Sequence, residues 1–429
     1  LVNTGTVQSY VDGGSVTTTG SANEKSPGIK ISADKNIKNR QYNGQVSGSL
    51  SENAVGGAVT TTINTNTVKA YANNTKLSAE KGTEVAAKSI KFVESTPVGV
   101  SAGTGVAVQG SVDTTVLTDD VFAYISGSEI SSDVNIYANN DTTVKTILGG
   151  AAVSGKGAVG AAVYTNVITG DTKAYISDSQ IKKDINNLIV KADTHESLNV
   201  LAASGSVSTG SVAVAGVVNT PVITRDTIAY IDNVDSITNN ANISNIDVQA
   251  VSNSEISPLS GGISASAGAG VGATAYTLVL NKDVKANIKN SKLKAKTVNV
   301  KAENTDDDYS ITLAGGFAGQ AGVGGAVSTT VFSNDVEAGI SQTKITEASK
   351  IDVNATNTTN LEAITGGAGG GTVGVGASVN TNVLNNTVKA FFDGGSADVR
   401  DAVTVKAQTF DNFKNTVTVS GAAGQVGVS

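Results

Sequence analysis

The chain holds a single histidine, His195, and no cysteine among its 429 residues, so a nitrogen/sulfur metal centre has too few ligands to form. His195 stands near Asp193 and Glu196, but Ser–His–Asp catalysis needs a convergent nucleophile, base and oxyanion site. No sister repeat carries the histidine, which reads as a surface turn residue. Gly155-Lys156-Gly157-Ala158-Val159-Gly160 matches GxGxxG, and Gly150–Lys156 approaches GxxxxGK. Either motif needs a helix N-terminus facing the phosphate, and a P-loop needs Ser or Thr after the lysine. Gly157 follows Lys156 and strand-like AAVYTNVI comes next, so the segment reads as a turn. Asp306-Asp307-Asp308 is the densest acidic run and could hold Ca²⁺ through carboxylates. With no EF-hand loop or calcium-roll repeat elsewhere, it too reads as a solvated turn. Paired carboxylates for glycoside cleavage have no candidate, because each notable Asp recurs at an expected turn. No catalytic residue, cofactor or metal is expected.

One chemical feature does recur. Tyr10, Tyr71, Tyr124, Tyr175, Tyr230 and Phe391 share one position of a repeated segment, with Asn287 and Gly339 breaking the series. The segment reads VQSYV at Val7–Val11, VKAYA at Val68–Ala72, VFAYI at Val121–Ile125, TKAYI at Thr172–Ile176 and TIAYI at Thr227–Ile231. It then drifts to VKANI, VEAGI and VKAFF, the last at Val388–Phe392. Val121, Ala123 and Ile125 alternate with Phe122 and Tyr124, the period of two of a half-buried strand. The aromatics fall on the outward side, interleaved with Lys69, Lys173 and Lys389. Tyr71, Tyr124, Tyr175, Tyr230 and Phe391 are therefore the candidate binding residues, as an exposed ladder for a glycan or a protein partner. Strand propensity and packing beneath a loop would give the same pattern.

The elements that position these rings repeat with them. A second strand follows each first one, as LIVKA at Leu188–Ala192, IDVQA at Ile246–Ala250 and VTVKA at Val403–Ala407. A Gly/Ala/Val stretch comes next, such as Leu198–Val207 followed by Ser211–Ile223, small or apolar on both faces, which implies strands covered on both sides. Each unit closes on an expected polar corner: Thr118-Asp119-Asp120, Thr169-Gly170-Asp171, Thr224-Arg225-Asp226, Asn281-Lys282-Asp283 or Ser333-Asn334-Asp335. Units so defined cover 1–63, 64–117, 118–168, 169–223, 224–280, 281–332, 333–384 and 385–429. The expected fold is all-β, an elongated β-solenoid, as a right-handed parallel β-helix of ~50-residue repeats, with stacked antiparallel hairpins as the alternative. Two coils per unit would put successive aromatics roughly 10 Å apart and make a rod on the order of 70 Å long.

Composition limits the function. Thirty basic and 37 acidic residues give a net charge of −7, scattered singly, so nucleic acid is not an expected partner. No apolar run is long enough for a transmembrane helix, and no signal-peptide pattern opens the chain. The chain begins without Met, inside a repeat, and reads as a monomeric internal fragment of a longer protein. Absence of cysteine suits the cytosol and equally suits secreted bacterial fibres.

The AYI…VKA…Gly/Ala-rich…TNVI cycle, with GAVGAAVYTNVI running into DTKAYI at residues 157–176, resembles the repetitive passenger region of large bacterial filamentous adhesins, autotransporter-like proteins that include the fusobacterial leukotoxin family. The likeness covers nearly the whole chain. Residues 73–98 depart from it, because SIKFVES at Ser89–Ser95 lacks the closing Ala. The resemblance implies a secreted or surface-exposed virulence protein that acts on host cells by adhesion or cytotoxicity. A passive stalk displaying a distant domain, and more remotely a polysaccharide-active enzyme, are the other functions considered.

Overall fold

The computed structural model describes residues 1–19 and 28–429. Among these, every regular element is a β-strand, and no helix is long and apolar enough to cross a membrane. Each unit is one coil. In the coil that carries Tyr175, Gly157–Ser177 is one continuous strand, Gln180–Ile181 a short second, and Ile185–Ser208 a long third. The chain then enters Val212–Asp232, which lies parallel on Gly157–Ser177 in uninterrupted register, Ala174 against Ala229 and Tyr175 against Tyr230. Repetition builds two long parallel sheets, here called A (from Val2–Asp12 to Val426–Val428) and B (from Ile29–Ser49 to Ser396–Ala423), with a short third sheet between them at one end. The molecule is thus a parallel β-solenoid. The hairpin alternative fails because the pairing within all three sheets is parallel.

The expectation of two coils per unit is corrected to one. Its error lay in the polar corners, which do not turn. Thr169, Gly170 and Asp171 lie inside the strand Gly157–Ser177, and the inward–outward alternation runs straight through them. Asp119, Arg225, Lys282 and Asn334 consequently point inward and are buried. Strands of about 21 residues extend roughly 70 Å, whereas eight coils stack to only about 40 Å. The body is therefore a broad blade whose long dimension follows the strands.

The true corner from sheet A to the short sheet carries one left-handed residue per coil. Asn74, Asp178, Asn233, Asn290 and Gln342 have φ between 47° and 53°, and Gly13, Gly127 and Gly394 fill the same place. Asn and Asp tolerate this conformation because their short polar side chains bond locally. The next residue seals the corner to its neighbours. Ser179 Oγ donates to Ser177 O (2.7 Å) and accepts from Ser128 N (3.1 Å), while Ser128 Oγ accepts from Thr75 N (3.2 Å).

Beside this corner the blade is thickest. Val121, Ala123 and Ile125 from sheet A, Ile130 from the short sheet, and Val134, Ile136 and Ala138 from sheet B are all buried and belong to one apolar column running the length of the stack. Toward the opposite corner the sheets converge until backbones meet. A Cβ on Gly160 would stand 2.4 Å from Gly205 O, and one on Gly324 2.0 Å from Ala368 O. That close approach explains the Gly/Ala stretches on their inward side. The expectation that their outward side is also covered is overturned: Val59, Val379 and Ile263 are 60%, 53% and 59% exposed.

Two outcomes follow from this geometry. Small-angle scattering should give a maximum dimension of about 85 Å, against about 60 Å for a compact globule of this length. Ala174 is wholly buried between Ala123 and Ala229, so Ala174→Asp strands a carboxylate in the apolar column. Chemical denaturation should show a loss of about 3 kcal/mol or more, and parent-like stability would mean that the faces are inverted.

Candidate binding faces

Tyr10, Tyr71, Tyr124, Tyr175 and Tyr230 stack in one column on the outer face of sheet A. Centroids lie 4.7 to 5.0 Å apart and ring planes within 6° of parallel. One coil per unit thus halves the spacing of roughly 10 Å expected from sequence. The change has a chemical consequence, because inside the column each ring covers the face of the next and only edges and hydroxyls remain available. The terminal Tyr10 is 55% exposed and the other four are half-buried. Burial raises the phenol pKa of Tyr124, Tyr175 and Tyr230, that of Tyr230 to about 12, with neighbouring phenols or carboxylates adding to it. Phe391 stands apart from the stack. Asn287 and Gly339 intervene, and its ring lies over Gly339, where a Cβ would meet it at 2.2 Å; Lys389 sits 4.7 Å above the ring centroid.

Between the thick and thin ends the interior is charged. Lys91 meets Asp119 at 3.1 Å, Arg225 meets Glu196 at 3.3 Å, and Lys282 meets Glu196 at 3.5 Å and Asp306 at 2.8 Å, every side chain fully buried. Gly170 makes this possible: it occupies the coil between Asp119 and Arg225, and Arg225 Nη1 reaches past it to donate to Asp119 O at 3.1 Å. Three cations face three anions across several coils. Burial opposes the charge on Lys282, yet Asp306 and Glu196 outweigh it and raise its pKa. On Lys91 burial wins over Asp119 and lowers the pKa to about 8. Sequence reading missed this network because it assigned Asp119, Arg225 and Lys282 to turns. The signal was there: counting back by twos from Val121, Ala229 and Val284 places all three inward.

Other sequence candidates resolve individually. His195 lies in mid-strand on the outer face of sheet B, between Asp141 and Asn253 of the neighbouring coils, and is not a turn residue. Asp306-Asp307-Asp308 likewise lies in the strand Lys292–Ala318, with Asp306 and Asp308 buried and Asp307 outward; the solvated-turn reading is overturned. Gly155 and Lys156 do form the turn into the next coil. A polar groove on sheet B is lined by Glu255, Asp307, Tyr309, Asn360, Glu362 and Lys414. Two of its carboxylates are tied into the stack, Asp307 accepting from Asn360 at 2.6 Å and Glu362 from Asn415 at 3.0 Å. Among the described residues no group of His, Cys, Asp or Glu could hold a metal ion.

The thin half of the blade presents two apolar outer faces. On sheet B, bulky side chains stand over glycines of adjacent coils: Leu313 packs 3.0 Å from a Cβ position on Gly366, and Ile263 lies beside Gly315. Ile147, Leu201, Ile263, Leu313, Phe317 and Val419 there are 39% to 59% exposed. On sheet A the residues are smaller and more regular. Val108, Val159, Val214, Val271, Val323 and Val375 form one column. Beside it run a Gly/Ala column, a second largely Val column, and a column of Thr that includes Thr61, Thr114 and Thr165. No charged residue interrupts these columns.

Comparison of the chain with protein-family models, with curated proteins and with solved structures finds no match.

Asp308 gives a pH test of the polar interior. Burial pushes its carboxyl up to about 8, although Tyr276 Oη donates to it at 3.4 Å; burial likewise lifts Asp113 to about 6. An unfolded Asp titrates near ~3.9, so the folded state holds these protons more tightly. Their destabilising effect is absent below about pH 4, grows as pH rises, and for Asp308 is complete above about 8. Asp308→Asn should flatten this fall and leave the protein at least about 1 kcal/mol more stable than the parent at pH 9. Urea unfolding of both at pH 5 and 9 checks it, and the paired comparison cancels the titration of Lys91.

Proposed function

We propose that the chain is a non-catalytic β-solenoid segment of a secreted or surface-exposed bacterial protein of the filamentous-adhesin and leukotoxin kind, and that it binds host cells through the apolar outer face of sheet B. The observation that carries this reading is the exposed set Ile147, Leu201, Ile263, Leu313, Phe317 and Val419. Soluble monomers rarely leave so large a contiguous apolar patch uncovered unless it meets a partner. Its relief of large side chains over glycines supplies the knobs and hollows that specific recognition uses. The clustered charges support a non-catalytic role, since Glu196, Arg225, Lys282 and Asp306 are sealed from any substrate.

The tyrosine column supports a second reading. Rings that cover one another offer sugars no free face, which favours a structural duty for the ladder and, with it, a passive stalk. Flow cytometry with the labelled fragment on host cells separates the two. Replacing Ile263, Leu313 and Phe317 together by Ser should weaken binding at least tenfold with the thermal transition kept, while Tyr124→Ser/Tyr175→Ser should lower stability and leave binding by the folded protein unchanged. A parent fragment that binds no better than an unrelated β-solenoid would leave the stalk in first place.

A further inference from the structure

The outer face of sheet A differs from that of sheet B in being regular. Its Gly/Ala column (Gly110, Ala161, Gly216, Ala273, Gly325 and Ala377) is a furrow between two valine ridges. One ridge is the Val159 column; the other contains Val59, Val163, Val218, Val327 and Val379. The furrow registers as a continuous apolar groove from Ala161 to Val379, and its register carries no bulge over this face. Exposure is high along the second ridge, with Val59 at 60%, Val218 at 44%, Val327 at 45% and Val379 at 53%, and the Val159 ridge is for the most part half-buried.

We propose that this face is the interface of a homodimer in which two copies pack sheet A against sheet A. The corrugation is self-complementary. A twofold axis parallel to the stack, between the furrow and the Val163 ridge, lays the ridge of each copy into the furrow of the other at every coil. Such an isologous contact is closed and adds no further copies. The same axis sets the Val159 column against the Thr165 column. It leaves the outward carboxylates Asp120, Asp171, Asp226 and Asp283 beyond the edge of the overlap, because the partner's strands turn away before reaching them. The overlap of six columns by seven coils measures about 30 by 30 Å, on the order of 1,000 Å² from each copy. A stable interface needs about 800 Å² from each partner. The proposal stands independently of the reading given for sheet B, and it leaves that face free on both outer sides of the dimer.

Gly110, Gly216 and Gly325 make the test clean, because nothing lies within 4 Å of a Cβ built at any of them. Lysines there leave the fold intact and block the furrow. Sedimentation velocity of the protein should show a dimer with a Kd below about 100 µM, and Gly110→Lys/Gly216→Lys/Gly325→Lys should sediment as a monomer with an unchanged melting transition. Gly261→Lys, on the outer face of sheet B, should remain dimeric. The chain lacks cysteine, so Gly216→Cys should be joined to its copy by a short bis-maleimide and Gly261→Cys should not. A parent that stays monomeric at about 100 µM, or a triple-lysine variant that still dimerises, overturns the proposal. Loss of dimerisation in Gly261→Lys would move the interface to sheet B and overturn it equally.

Discussion

In a parallel stack with one coil per repeat, each side chain lies about 4.8 Å from its counterpart in the next coil. Whatever stands at a position must therefore tolerate its own copy as nearest neighbour. Apolar columns satisfy this trivially, and Ala70, Ala123, Ala174, Ala229, Ala286 and Ala338 repeat without change. Tyrosines satisfy it by stacking. Charges need a counterion between them, since equal charges at that distance repel more strongly the drier their surroundings. The buried column Asn66, Asp119, Gly170, Arg225, Lys282, Asn334 meets that need in two ways: glycine stands where the sign reverses, and Glu196 of the opposite sheet pairs with both of the neighbouring cations Arg225 and Lys282.

On the surface the same rule is relaxed by water. Asp120, Asp171, Asp226, Asp283 and Asp335 follow one another along an outward column. The carboxyl of Asp226 is raised by partial burial first and then by Asp171 and Asp283. Lysines one step along the strand compensate. Lys285 bridges Asp283 at 2.8 Å and Asp335 at 3.0 Å, joining two coils. The outer surface of sheet A is thus divided by distance from the thick corner into aromatic, lysine-rich, acidic, and finally uncharged Val/Thr columns. Chemistry changes across the blade and is nearly constant along it.

Alternation made the strands legible in the sequence. Val121, Ala123 and Ile125 point inward as their period requires, and the repeat spacing identified a solenoid. The number of coils was hidden because Thr-Gly-Asp and Asn-Lys-Asp look like turns in isolation. Only partners on the opposite sheet, such as Glu196 for Arg225, make it possible to bury them in an unbroken strand. Those partners lie one to several dozen residues away, and no local signal ties them together. The exposed state of Ile263 and Leu313 was equally invisible, since a strand apolar on both sides reads as doubly covered. For the tyrosines, the outward position was legible and the mutual stacking was not, because stacking follows from coil number.

The ion network also sets the order in which the stack can come apart. A coil at either end can peel away from an apolar or tyrosine column and expose little beyond hydrocarbon. Peeling that removes the coil holding Lys282 and Asp306 takes one of the two countercharges from Glu196, and peeling from the other side separates Lys91 from Asp119. Each such step strips an interior ion of a partner, at a penalty of up to several kcal/mol. Fraying should therefore halt at the coils of Lys91 and Lys282. The charged coils behave as a ratchet stop, holding a protease-resistant centre while the margins open and close.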